Sequence, residues 1–224
     1  MEKQYTAGDL AAAMVSLYER GLTSASGGNI SVLGKNGDIL ITPSGVDKGA
    51  LEAKHIIRVH ADGSYDSAFA PSVELPFHRT AYSCGADIRV VVHAHPPEVV
   101  ALSATRKLPD LRAFPALARY GRNIAIVPYA IPGSSELGDL IADKLRAGAR
   151  ITILYNHGLV CTAPTLAEAM ASVEAVTTVC RAQIGAGVFG GLRYPDRELA
   201  PEWWMPLPGS GRPAQDFDDD DKRE

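Results

Sequence analysis

His93 and His95 stand two positions apart at the end of a valine run, Val90-Val91-Val92, and a double proline, Pro96-Pro97, follows. In an extended strand, residues i and i+2 point to one face, so the two imidazoles project together. Proline has no N–H for a sheet ladder, so Pro96-Pro97 closes the strand just beyond the pair. Two imidazoles on one rigid face are half of a metal site. Two core or surface histidines that merely alternate would leave the same signature, so the rest of the chain must supply or withhold further ligands.

Two more donors are in reach of this chemistry. His157 follows the apolar run Ile151-Thr152-Ile153-Leu154-Tyr155 and precedes Gly158, a placement at a strand end like that of His95. Pro71-Ser72 predicts a helix start with Ser72 as N-cap, Glu74 in the first turn and His78 one turn on, on the same face. A carboxylate favoured by the helix dipole accounts equally for Glu74, and a ring packed on a helix face accounts for His78. His55 and His60 read as surface residues. Three histidines at strand ends and one glutamate at a helix start make a tetrahedral or five-coordinate site. Imidazole ligands favour zinc, with manganese, cobalt and iron as alternatives. With one displaceable position such an ion acts as a Lewis acid. A substrate offering adjacent carbonyl and hydroxyl oxygens would bind through both, and the metal would stabilise the enediolate formed when a neighbouring bond breaks. Glu74 would then alternate between ligand and base.

Two runs of small residues complete the chemistry. Thr23-Ser24-Ala25-Ser26-Gly27-Gly28-Asn29 and Pro43-Ser44-Gly45 both border strands, and their N–H groups and hydroxyls can cradle a phosphate or carboxylate. A plain turn before a strand is the alternative for each.

The elements around these residues are legible as a mixed pattern. Leu10, Met14, Val15 and Leu17-Tyr18 predict a helix over 8–20 that ends near Gly21. Asn36-Gly37-Asp38 predicts a hairpin turn into the strand 39–42, and 56–60 continues the antiparallel pattern. A helix follows the double proline over 98–102. Residues 105–122 are irregular and basic, with Arg106, Lys107, Arg112, Arg119 and Arg122. A strand over 124–127, a helix from Pro132 to about Ala147, the strand 151–155 and a long helix over 165–184 complete the order. The chain is then Gly/Pro-rich, and Trp203-Trp204 is expected to pack on a neighbour or a subunit. Residues 1–215 read as one domain. Residues 216–224 read as a disordered acidic tail, in which Asp218 to Lys222 resembles an engineered cleavage tag.

Composition narrows the partners. At 46% hydrophobic and 21% charged, the 224 residues suit a soluble globular protein. A net charge of −4 argues against nucleic acid or an anionic membrane as partner. No apolar run is long enough to span a bilayer, and the start Met1-Glu2-Lys3-Gln4-Tyr5 lacks the apolar core of a secretory signal. Cys84, Cys161 and Cys180, odd in number and widely spaced, suit reduced thiols in a cytoplasm.

Over residues 8–185 the chain resembles the class II aldolase/adducin family. The resemblance rests on Ser26-Gly27-Gly28-Asn29-Ile30-Ser31, Ile41-Thr42-Pro43-Ser44-Gly45, Pro71-Ser72-Val73-Glu74, His93-Ala94-His95, Pro132-Gly133-Ser134-Ser135-Glu136-Leu137 and Asn156-His157-Gly158, in that order. It implies an α/β fold, a three-layer α/β/α arrangement with a central, mainly antiparallel β-sheet, and a homotetramer with its site near a subunit boundary. It also implies His93, His95 and His157 as metal ligands and Glu74 as fourth ligand and acid/base. Gly28, Asn29, Ser44, Gly45 and Ser72 would surround the anionic end of a small-molecule substrate. Aldolase-type cleavage of a ketose phosphate or related hydroxy-ketone is the leading expectation. Decarboxylation of a hydroxylated aromatic acid or phosphorylated oxo-acid is the alternative, with 4-epimerisation or a non-catalytic adducin-like binding role behind it. Two departures bear on the substrate. Val73 stands where phosphate-using aldolases of the family commonly carry a second serine, and valine donates no hydrogen bond. The family's proton-donating tyrosine has no clear counterpart, with Phe114 near its region and Tyr120 a loose match.

Overall fold

The structure, a computed structural model, describes residues 4–111, 114, 117 and 123–193. Trp203, Trp204, the acidic tail, Arg112, Arg119, Tyr120 and Arg122 lie outside the described residues.

Seven strands form one sheet: β1 (Asn29–Leu33), β2 (Ile39–Ile41), β3 (Ile57–Val59), β4 (Val90–Ala94), β5 (Ile124–Val127), β6 (Ile151–Leu154) and β7 (Gly158–Ala163). Their order is β3-β2-β1-β4-β7-β6-β5, which puts the His-x-His strand β4 in the middle. Every pairing is antiparallel except β5 with β6. The helices are α1 (Ala7–Glu19), α2 (Leu75–Tyr82), α3 (Pro97–Ala104), α4 (Ser135–Arg146) and α5 (Leu166–Val188).

Strand alternation divides the core into two layers. Val90, Val92 and Ala94 of β4, with Ile30 and Val32 of β1, face a large apolar cluster that takes in Leu10 and Met14 of α1, Val99 of α3 and Val173 of α5. Val91 and the opposite face of β7 meet Phe77 and Ala81 of α2 and Leu137, Ile141 and Leu145 of α4. The result is the expected α/β/α layering, with α1, α3 and α5 on one side and α2 and α4 on the other. Side-chain caps start three of the helices. Thr6 and Asp9 form a reciprocal capping pair on α1, Ser134 accepts from Leu137 N–H on α4, and Thr165 accepts from Glu168 N–H on α5.

Three expected boundaries shift, the first being the helix expected from Pro132, which begins at Ser135 behind its N-cap Ser134. The helix predicted at Pro71-Ser72 begins only at Leu75, with Glu74 at its cap position. Pro71 forms a bridge with Pro43, and Ser72 N–H donates to the Thr42 carbonyl at 3.2 Å, so this stretch runs as an extended continuation of the sheet. Ser72 therefore does not cap α2; its hydroxyl accepts from Glu74 N–H at 3.3 Å. The last helix does not stop near residue 184 but continues through Gly185 and Gly187 to Val188. Glycine lowers helix propensity by about 1 kcal/mol without forbidding the conformation. Among the described residues, no helix is long and apolar enough to cross a membrane.

Candidate metal centre

Asn29 of β1 and His93 of β4 are direct cross-strand partners, so their side chains rise together on the α2 side of the sheet. His93 is fully buried, and its Nδ1–H donates to the Leu159 carbonyl at 2.9 Å. A carbonyl can only accept, so the proton sits on Nδ1 and the Nε2 lone pair is turned to the site. His95 lies one residue beyond β4, where its N–H donates to the Leu22 carbonyl at 3.1 Å. Its ring fits between two glycines. A Cβ on Gly27 would stand 2.6 Å from His95 Nδ1, and one on Gly158 would stand 2.8 Å from His95 Cδ2. His157 is presented by the tight turn between β6 and β7. Asn156 there adopts a left-handed φ of 56°, and its N–H donates to Ser103 Oγ of α3 at 3.1 Å.

The three imidazoles converge, with one potential ligand atom from each lying within 4.8 Å of the others. His93 Nε2 and His95 Nε2 are 2.8 Å apart. Glu74 closes the cluster from the start of α2. Its Oε2 lies 3.3 Å from His93 Nε2 and accepts from Asn29 Nδ2 at 2.7 Å, while its Oε1 lies 3.8 Å from His157 Nε2. That Oε1 atom is buried without a hydrogen-bond donor. Burying an acceptor without a donor costs about 1–3 kcal/mol, more for a charged group.

Burial sets the charge state of the imidazoles. It pushes His93 down to about 3, aided by the nearby His157, and it pushes His95 down to about 3, aided by His93 and His157. His157 is lowered by the same desolvation, against the opposing pull of Glu74. All three rings are thus neutral near pH 7, the form that ligates metals. Three neutral nitrogens and one carboxylate with an orphaned oxygen fit a divalent cation.

The small-residue loops are drawn to the same end of the sheet by backbone bonds. Ser44 N–H donates to the Ala70 carbonyl at 2.9 Å, which ties the loop after β2 to the stretch before Glu74. Lys48 N–H donates to the Ala25 carbonyl at 2.8 Å, which ties it to the loop before β1. Gly45 is exposed with open space beside it, Ser44 is half-buried and Ser72 is buried. Gly28 is buried and packs against β4, since a Cβ there would meet the His93 carbonyl at 2.7 Å. Phe114 stands apart from the histidines, beside a shallow cleft that it lines with Leu117 and residues of α5.

Comparison with known proteins fits this geometry. Residues 8–184 match the family described as Class II Aldolase and Adducin N-terminal domain. The chain belongs to that family. Among its relatives, 3-oxo-tetronate 4-phosphate decarboxylase of Pectobacterium atrosepticum is 33% identical over 164 residues, 71% of this chain and 74% of the relative. L-fuculose phosphate aldolase of Escherichia coli is 32% identical over 171 residues, 76% of this chain and 78% of the relative. The crystal structure of YgbL from Escherichia coli superposes with a TM-score of 0.78 at 28% identity, covering 86% of this chain and 94% of that one.

Within this class II aldolase domain, sequence reasoning missed three contributors. Gly27 and Gly158 form the walls of the His95 ring, a role their sequence context does not announce. His78 is not an ordinary helix-face residue: it is fully buried and bonded through both ring nitrogens, to Asn29 Oδ1 and, at 2.6 Å, to Ser31 Oγ. Ser31 Oγ in turn meets Tyr82 OH at 2.6 Å. The signal was present as the spacing Glu74, His78, Tyr82, a polar stripe at one-turn intervals facing Asn29-x-Ser31.

Proposed function

We propose that this chain is a metal-dependent carbon–carbon lyase that cleaves a ketose phosphate or related hydroxy-ketone in the manner of an aldolase. One observation carries the reading: three neutral imidazoles and a buried carboxylate with an orphaned oxygen meet at one point. His93, His95, His157 and Glu74 would hold a divalent cation, zinc first given three imidazoles, which when bound would supply Lewis-acid stabilisation of charge on adjacent substrate oxygens. Gly28, Asn29, Ser44, Gly45 and Ser72 line the loops that would hold the anionic end of the substrate. Both relatives carry a phosphate in the names of their substrates, which supports a phosphorylated or carboxylated small molecule. A homotetramer in a reducing cytoplasm completes the proposal, the assembly on the family resemblance and the compartment on three unpaired cysteines.

Aldol cleavage requires two proton movements. A base takes the hydroxyl proton of the carbon released as aldehyde, and an acid returns a proton to the carbon left behind. Glu74, with Oε2 held by Asn29 and Oε1 uncommitted, is suited to carry one of them.

Two observations favour decarboxylation as the second reading. Carbon dioxide leaves with its bonding electrons staying on the substrate, so only the returned proton is needed, and one carboxyl group suffices. Val73, 69% exposed, also offers no hydrogen bond beside Ser72. A product screen of the metal-loaded enzyme separates the two readings. Release of dihydroxyacetone phosphate or glycolaldehyde supports the aldolase. Carbon dioxide from hydroxylated aromatic acids or phosphorylated oxo-acids, with no aldehyde, overturns it in favour of the decarboxylase.

A further inference from the structure

We propose that His78 is a positioning residue for the acid/base end of the site, acting through Asn29 to fix which oxygen of Glu74 stays uncommitted. The inference rests on the reading of Glu74 given above and adds residues that never touch substrate or metal.

Hydrogen assignment along the buried chain has one solution for a neutral ring. Asn29 Nδ2 is 2.7 Å from Glu74 Oε2 and must donate, because a carboxylate oxygen only accepts. Asn29 Oδ1 then faces His78 Nε2 and can only accept, so Nε2 carries the ring proton. His78 Nδ1 is left bare and accepts from Ser31 O–H at 2.6 Å, and the Ser31 oxygen accepts from Tyr82 O–H at 2.6 Å. The bonds therefore all run one way, from Tyr82 through Ser31, His78 and Asn29 to Glu74. Burial holds His78 well below its ordinary pKa and pushes Tyr82 up, so the ring stays neutral and the phenol keeps its proton. Phe77 stacks on the ring at 4.5 Å between centroids and holds its plane.

The consequence lies at Asn29. An asparagine amide can sit either way round, and only its surroundings choose. Turned over, it would set Oδ1 against a carboxylate oxygen and NH2 against the His78 N–H. With His78 in place the amide cannot turn, Oε2 is held, and Oε1, facing His157, is the oxygen left for metal or proton. Both ends of the Asn29 side chain are thereby engaged, which makes it a support for Glu74 before it is a ligand for substrate.

The test uses the full-length, zinc-loaded protein and two variants. In the wild type, the 15N imidazole shifts of His78 should report a neutral ring protonated on Nε2, a readout independent of any activity. His78→Phe keeps the stack on Phe77 and deletes both nitrogens; kcat should fall about 10–100-fold, the usual cost of losing an outer partner of a metal site. KM and bound zinc should stay near wild type. His78→Gln still offers an N–H toward Asn29 and should recover most of the lost kcat. An Nδ1-protonated ring would overturn the inference. So would an unchanged kcat in His78→Phe, or equal losses in both variants that track their melting temperatures. If no lyase activity is found, the reading of Glu74 fails, and the ring tautomer still decides the direction of the chain.

Discussion

Adjacent residues on one strand live in different worlds here. On β1, Ile30 and Val32 enter the apolar cluster under α1, α3 and α5, whereas Asn29 and Ser31 enter the α2 layer as polar groups. On β4, Val90, Val92 and Ala94 join the first layer, and His93 joins the second. The first layer gains its stability from apolar area removed from water. The second sets Asn29, Ser31, Glu74, His78 and His93 beside the apolar residues of α2 and α4, and this polar group stays viable because partners are supplied. The one atom of this group left without a donor, Glu74 Oε1, faces the histidine cluster. Apolar packing holds the sheet from both sides, and only the α2 side adds a buried polar group that leads to the histidine cluster.

Four substitutions and one change of condition test that contrast. The largest effect is expected from Glu74→Gln, which keeps shape and removes the acid/base group; kcat should drop about 10²–10⁴-fold with product release as the measurement. On the supporting side, Ile30→Ala should cost about 2–5 kcal/mol in denaturant unfolding and leave kcat per folded molecule unchanged. Its neighbour Ser31→Ala should cost less, about 1–3 kcal/mol, by leaving His78 Nδ1 without its donor and the Tyr82 O–H without its Ser31 acceptor, and should lower kcat as well. If both variants lost stability alone, the division of labour across β1 would be wrong. Gly27→Ala should push the His95 ring aside and weaken metal binding about 10–100-fold by calorimetry, with little change in the apolar layer.

The pH dependence of metal-free stability tests the same burial. Unfolded histidines titrate near 6.5, whereas folded His93 and His95 resist protonation down to about 3. Between these values the unfolded chain binds more protons, so stability should fall as pH drops through 6.5 toward 3. A flat melting temperature over that window would show that these rings are not buried neutral.

The sheet side of the site was legible because alternation along a strand is a local rule. The i, i+2 spacing at the end of β4 sufficed to set His93 and His95 on one face, and the run before His157 marked it as a strand-end donor. The hairpin at Asn36-Gly37 and the strand Ile124–Val127 were equally plain, and the layering followed from the family resemblance. The start of α2 was not legible, because Pro71-Ser72 is held extended by Thr42 and Pro43, nearly thirty positions upstream. The stripe Glu74, His78, Tyr82 marks a polar helix face, but what it faces lies 47 and 49 positions away from His78 and has no local signature. The glycines walling His95 escaped notice because a missing Cβ leaves no signal until its neighbour is placed.

The central claim is that His93, His95, His157 and Glu74 hold one divalent cation. Titration of tag-free, metal-stripped protein with zinc by calorimetry tests it directly, wild type beside His95→Ala. The wild type should bind one equivalent and the variant should lose binding or be severely weakened, with both proteins folded by circular dichroism. Undiminished zinc binding by a folded His95→Ala protein would contradict it.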